Sequence, residues 1–182
     1  MKLVAYSDIS NCSDVDFCFD NFPKERIEYV NSINDKKRKI QSYFVTKLLI
    51  ALLVDNGLLN KLNNASIISG KWVFSSEFDV CFSHSDNIVC VALSDSGECA
   101  VDVEKVDQKI LRVKNILASD NQPKSIVDLT KLWTERECDI KSLTTKDKIS
   151  IIIKDACGFD YVLTCAFGII DNVIIKQFKF SN

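Results

Sequence analysis

The sequence has one histidine, no C-x-x-C pair among its eight cysteines, and almost no net charge. Each shortage excludes something. A formal charge of -2 over 182 residues leaves no basic footprint for a general nucleic-acid binder. The longest apolar run, Leu48 to Val54, is far too short to cross a bilayer. The N-terminus lacks an apolar h-region and meets Asp8 too early for a secretory signal, so a soluble cytoplasmic protein is expected. The cysteines have no zinc-site spacing, and Cys90 and Cys165 stand inside apolar runs. In a reducing compartment they read as small buried hydrophobes. No low-complexity stretch or linker breaks the chain, so one compact unit is expected.

What is present suffices for a core. At 47% hydrophobic, a chain of this length buries roughly 70% of its unfolded surface without a metal or disulfide staple. Lys2 to Tyr6 reads as a strand, Asn11 to Asp20 as acidic and irregular, and Pro23 as the opening of a polar helical turn with Lys24, Glu25 and Arg26. From Asp35 to Val54, Ile40, Phe44, Leu48 and Leu52 follow helical spacing. Short strands are expected at Ser66–Ile68, Val80–Phe82 and Ile88–Leu93, with Ser83 to Asn87 as a polar turn. A strand through Ala100 follows, then a helix over Gln108–Leu117. Pro123 opens a second long helix to about Leu143. Strands close the chain at 149–153, 159–167 and 172–180. The order is α+β, in two halves of similar plan (1–97 and 98–182). No residue-level repeat links them.

Four stretches carry chemistry. In Cys99 to Val106, alternation sends Val101 and Val103 to one face and Ala100, Asp102 and Glu104 to the other. Taken alone, that second face is a solvated strand face, and Asp102 contributes little to the core. In Trp133-Thr134-Glu135-Arg136-Glu137-Cys138-Asp139-Ile140-Lys141, Trp133, Glu137 and Lys141 stack along one helix side, which alone is a stabilising Glu–Lys pair. His84, alone, is a turn-capping group. Lys36, Lys37, Arg38 and Lys39 at a helix start oppose the macrodipole unless an anion binds there.

Together, Gly70-Lys71-Trp72, Cys81-Phe82-Ser83-His84-Ser85, Ala100 to Lys105 and Trp133 to Lys141 resemble, in order and spacing, the motifs of the 4'-phosphopantetheinyl transferases of the surfactin-synthetase-activating type. The likeness covers roughly residues 23 to 168. Ala100 stands for the family's glycine, Trp72 for its proline and Arg136 for the lysine of its Lys-Glu pair. The glycine loop after the last lysine is replaced by Ser142 to Thr145. The resemblance implies two α+β halves related by a pseudo-two-fold, each a long helix on a small, mostly antiparallel sheet. It also implies a monomer that moves phosphopantetheine from coenzyme A to a carrier-protein serine, with coenzyme A held between the halves.

Such a reaction is mostly positioning and charge neutralisation on a diphosphate, and Mg2+ suits it. The resemblance makes Asp102, Glu104 and Glu137 the metal carboxylates, Glu137 the general base and Lys141 the leaving-group cation. Arg38, Lys47, Lys71, Ser83, His84 and Lys141 would hold coenzyme A. A homologue that binds coenzyme A or a carrier protein without turnover is the competing expectation. A nuclease of the Glu-x-Lys type is excluded, because Glu104 and Lys105 are adjacent and face opposite ways. Neither a nucleic acid nor a membrane is an expected partner.

Overall fold

The first strand, β1 (Lys2–Asp8), is buried on both faces: Leu3 and Ala5 enter one core, Val4 another. The computed structural model describes residues 1–12, 15–117, 125–142 and 147–180. After β1, α1 (Lys24–Ser32) starts behind Pro23, whose fixed φ suits a helix start. Then α2 (Lys36–Asp55) starts behind Asp35, whose side chain accepts the Arg38 N–H. From Ile40 to Leu53 almost every α2 side chain is buried, so something must cover it all round. A sheet covers one side. On the other, Phe17, Phe19 and Phe22 of the irregular segment set their rings 4.9, 5.7 and 5.3 Å from Tyr43, whose hydroxyl donates to the Cys18 carbonyl.

A small hairpin of β2 (Ser66–Ile68) and β3 (Lys71–Val73) turns through Ser69 and Gly70, both left-handed. It is followed by β4 (Asp79–Ser85), β5 (Ile88–Ser94) and β6 (Cys99–Lys105). Ser83, His84 and Ser85, expected in a turn, continue the β4–β5 ladder down to Ser85 opposite Ile88; only Asp86 and Asn87 turn. The expected helix at Gln108 is a 3-10 stretch to Val113 that runs into a single turn, α3 (Lys114–Leu117). That stretch has no buried residue to anchor a longer helix. Next is α4 (Ile126–Lys141), closed by a Ser125–Asp128 capping box. Pro123 and the 143–145 stretch lie outside the described residues. The chain ends with β7 (Asp147–Lys154), β8 (Asp160–Phe167) and β9 (Val173–Phe178).

The described residues form a mixed α+β fold. The main sheets run β4-β5-β1-β9 and β6-β8-β7, so the last strand pairs in parallel with the first. α2 lies on the outer face of the first sheet and α4 on the outer face of the second. The inner faces share a core of Val4, Ile88, Cys90, Ala92, Val101, Val103, Leu163 and Cys165. The layers are thus helix, sheet, sheet, helix. All eight cysteines are free, and six are buried. No helix is long and apolar enough to cross a membrane among the described residues.

The two sheets meet where β6 runs beside β4, and that seam is made by side chains. Asp79 Oδ2, Cys81 Sγ, Ser83 Oγ and Ser85 Oγ accept the N–H groups of Cys99, Val101, Val103 and Lys105 at 2.8, 3.4, 3.4 and 3.2 Å. Every donor is 20 residues beyond its acceptor, so the strands run parallel and in step. Alternate β4 side chains take the part that carbonyls play in an ordinary ladder.

Candidate functional site

Along β6 the expected alternation holds: Val101 and Val103 enter the inner core. The opposite face is not solvated. α4 lies over it, leaving Ala100 fully buried and Asp102 only 5% exposed. Asp102 therefore needs partners, and it has them on one oxygen. Its Oδ1 accepts from Ser83 Oγ at 2.8 Å and from Lys141 Nζ at 2.7 Å, while Oδ2 is buried without a hydrogen-bond partner among the described residues. Lys141 also donates to the Val101 carbonyl at 2.9 Å, so the Ala100 methyl leaves that approach open. Burial pulls the Lys141 pKa down, but Asp102 outweighs it and holds the ammonium above its ordinary value.

Two residues on, Glu104 Oε2 accepts from Ser85 Oγ at 2.7 Å. Burial raises the Glu104 pKa, and the Asp102 charge adds to that. Glu104 borders a cavity of about 370 Å³ that Trp133 also lines. On α4, Glu137 lies one turn from each of Lys141 and Trp133. It is half-buried, without a hydrogen bond or ion pair to the described residues. Among the described residues no group of three or more His, Cys, Asp or Glu is placed to hold a metal ion. The proposed trio is therefore not a preformed cage.

Beyond Lys141 opens a cleft of about 280 Å³, lined by Arg26, Tyr29, Arg38, Ser42, Val45, Trp72, Phe82, Ser83, His84 and Lys141. Arg26, Arg38 and Lys141 bring positive charge to it, and His84 an imidazole. Arg38 is exposed and forms no ion pair with the described residues. His84 has its pKa lowered by the walls that desolvate it, then by Lys141 and Arg38, although its surface remains accessible. Arg26 is 2% exposed and has no carboxylate partner among the described residues. Its guanidinium donates to Thr46 Oγ1 and to Ser42 and lies 4.6 Å over Trp72, at the place of the family's proline. Burial lowers its pKa to about 10, so it keeps its charge at neutral pH.

The expected coenzyme A residues separate. Arg38, Ser83, His84 and Lys141 line the cleft. The Ser83 hydroxyl, however, is engaged by Asp102 and the Val103 N–H. Lys71 lines an adjoining cavity of about 330 Å³ and is paired with Asp79 at 2.6 Å. Lys47 does not join them: its ammonium lies 5.6, 5.7 and 5.4 Å over Tyr43, Phe44 and Phe180. Nine residues at about 100° each put Lys47 half a turn from Arg38, on the far side of α2. Arg136 also turns away, donating to the Ile116 carbonyl at 3.2 Å.

Arg26 escaped the sequence reading because a polar turn Lys-Glu-Arg looks solvated. The available signal was Tyr29, three residues on and so on the same helix face, whose ring lies 5.0 Å from the guanidinium.

No protein-family model matches this chain, and no characterised protein does. The likeness therefore rests on the sequence motifs.

Proposed function

We propose that this protein is a Mg2+-dependent 4'-phosphopantetheinyl transferase that modifies a serine of an acyl or peptidyl carrier protein. One observation carries the reading: Arg26, Arg38, His84 and Lys141 converge on a single cleft whose inner end is the Asp102–Lys141 pair. That is the charge pattern a polyphosphate substrate needs. The reading includes a cytoplasmic monomer of two related α+β halves, with α2 and α4 as the paired long helices and coenzyme A between them.

The residues present fit a divalent cation. Asp102 Oδ2 is a buried carboxylate oxygen with no hydrogen-bond partner among the described residues, and Glu104 is on the same strand face. Mg2+ needs only one or two protein carboxylates, because phosphate oxygens and water complete its octahedron. Asp102 and Glu104 would hold it, with Glu137 closing from α4, and the ion would neutralise the diphosphate. In the cleft, Arg26, Arg38 and His84 bind the phosphates of coenzyme A, and Lys71 borders the nucleotide. Glu137 takes the proton from the carrier serine as its oxygen attacks the pantetheine-bearing phosphorus. The bond to the nucleotide breaks and 3',5'-ADP leaves, its charge met by Lys141.

The test is intact-mass analysis of a carrier protein incubated with this protein, coenzyme A and Mg2+. The expected result is a gain of one phosphopantetheine; no gain overturns turnover. Arg136, which stands for the family's lysine and turns away to the Ile116 carbonyl, favours a second reading, a protein that holds coenzyme A without reacting it. Calorimetric binding of coenzyme A with no mass gain would select that one.

A further inference from the structure

β4 places Ser83 and Ser85 in the same relation to β6. Ser83 Oγ accepts the Val103 N–H and donates to Asp102 Oδ1; Ser85 Oγ accepts the Lys105 N–H and donates to Glu104 Oε2. Each hydroxyl thus takes a seam N–H and the carboxylate of the residue before it. We propose that Ser83 and Ser85 are positioning residues that orient Asp102 and Glu104 as a two-carboxylate seat for one divalent cation, an inference that rests on the transferase reading. A carboxylate on a strand face otherwise rotates freely about its last bond. Here one oxygen of each is held by a hydroxyl, and the Asp102 oxygen left over is buried with no hydrogen-bond partner among the described residues. A buried carboxylate oxygen without a donor is costly, and an oxygen-seeking cation removes that cost. Lys141 occupies Oδ1 rather than Oδ2, so it does not fill the seat. Partners behind metal ligands typically contribute about 10–100-fold in metal affinity.

The seam supplies its own control. Cys81, two residues before Ser83, accepts the Val101 N–H through sulfur. A cysteine at a serine position therefore keeps the seam acceptor while its thiol donates only weakly to the carboxylate. The experiment is Mn2+ titration, followed by electron paramagnetic resonance, of the full chain and of Ser83→Cys, Ser85→Cys and Ser85→Ala, with thermal melting of each. Mn2+ affinity should fall about 10–100-fold in the variants. Melting should stay near wild type in the cysteine variants and drop in Ser85→Ala, which loses the acceptor. Affinities within about twofold of wild type, or no Mn2+ binding by the wild type, would overturn the proposal. Carrier modification is measured separately. A chain that modifies carrier yet shows unchanged metal affinity in the variants keeps the transferase reading and loses this one. Serine-dependent metal binding with no transfer does the reverse.

Discussion

The cleft and the carboxylate strand are neighbours with opposite electrostatic designs. Arg26, Arg38 and His84 line the cleft, and no acid among the described residues lines it with them. On β6, Asp102 has Lys141 and Ser83, and Glu104 has Ser85. The first region is left incomplete, which suits a ligand that brings negative charge. The second is already hydrogen-bonded before any ligand arrives, with one oxygen spare among the described residues. A site that must bind and then react divides those tasks between its two ends.

The sharpest way to break this comparison is Glu137, which belongs to neither end. It has no bond to the described residues to lose, so Glu137→Gln should leave the melting temperature unchanged. If it is the base, turnover should fall about 10²–10⁴-fold. A variant with wild-type turnover would remove it from the site.

Asp102 comes next, and here the structure reverses the sequence expectation. An outward-facing carboxylate would be dispensable to the fold; a buried one paired to Lys141 is not. Asp102→Ala should cost about 3 kcal/mol, as losing one partner of a buried pair does, and Lys141→Met a similar amount. With Asp102→Asn keeping the shape, carrier transfer should fall about 10²–10³-fold. Denaturant melts and single-turnover transfer, measured together, separate the two effects.

Arg26 should behave in the opposite sense. Arg26→Met removes a buried cation that has no acid partner, so the free protein should lose little stability. Its affinity for 3',5'-ADP should nonetheless fall about 10–100-fold, the worth of a charge-assisted hydrogen bond. Calorimetry that returned wild-type affinity would take Arg26 out of the cleft's function.

The smallest effect is the cleanest to read, because His84 is the only histidine. Its single imidazole signal should titrate below 6.5 in the free protein and move upward when 3',5'-ADP is added. Between the lowered value and 6.5 the unfolded chain binds more protons than the folded one. This group alone therefore makes the fold less stable as pH falls through that window. A titration at or above 6.5 without ligand would mean that neither burial nor the neighbouring cations act on His84 as described.

Much of this was legible in the residues. Helical spacing from Ile40 to Leu52 located α2, and alternation in Ala100 to Lys105 assigned the faces of β6 correctly. Both are local periodicities set by backbone geometry. Boundaries and surroundings were harder. Ser83 to Ser85 read as a turn because its residues are polar. They form a strand because they continue the ladder with β5, and β6, 20 residues on, uses two of their hydroxyls. Arg38 and Lys47 share a helix, and only the angle between them, combined with which side faces the cleft, separates their roles.

The sequence alone determined the α+β order, the strand that carries Asp102 and Glu104, and the helix that carries Glu137 and Lys141. Those follow from short-range sterics and hydrophobic period, which act within a few residues. Tertiary structure decided that α4 covers Asp102, that Arg26 is buried against Trp72 without an acid, and that side chains build the β4–β6 seam. Burial and pairing depend on which distant segments meet, and no local pattern in one chain encodes that meeting.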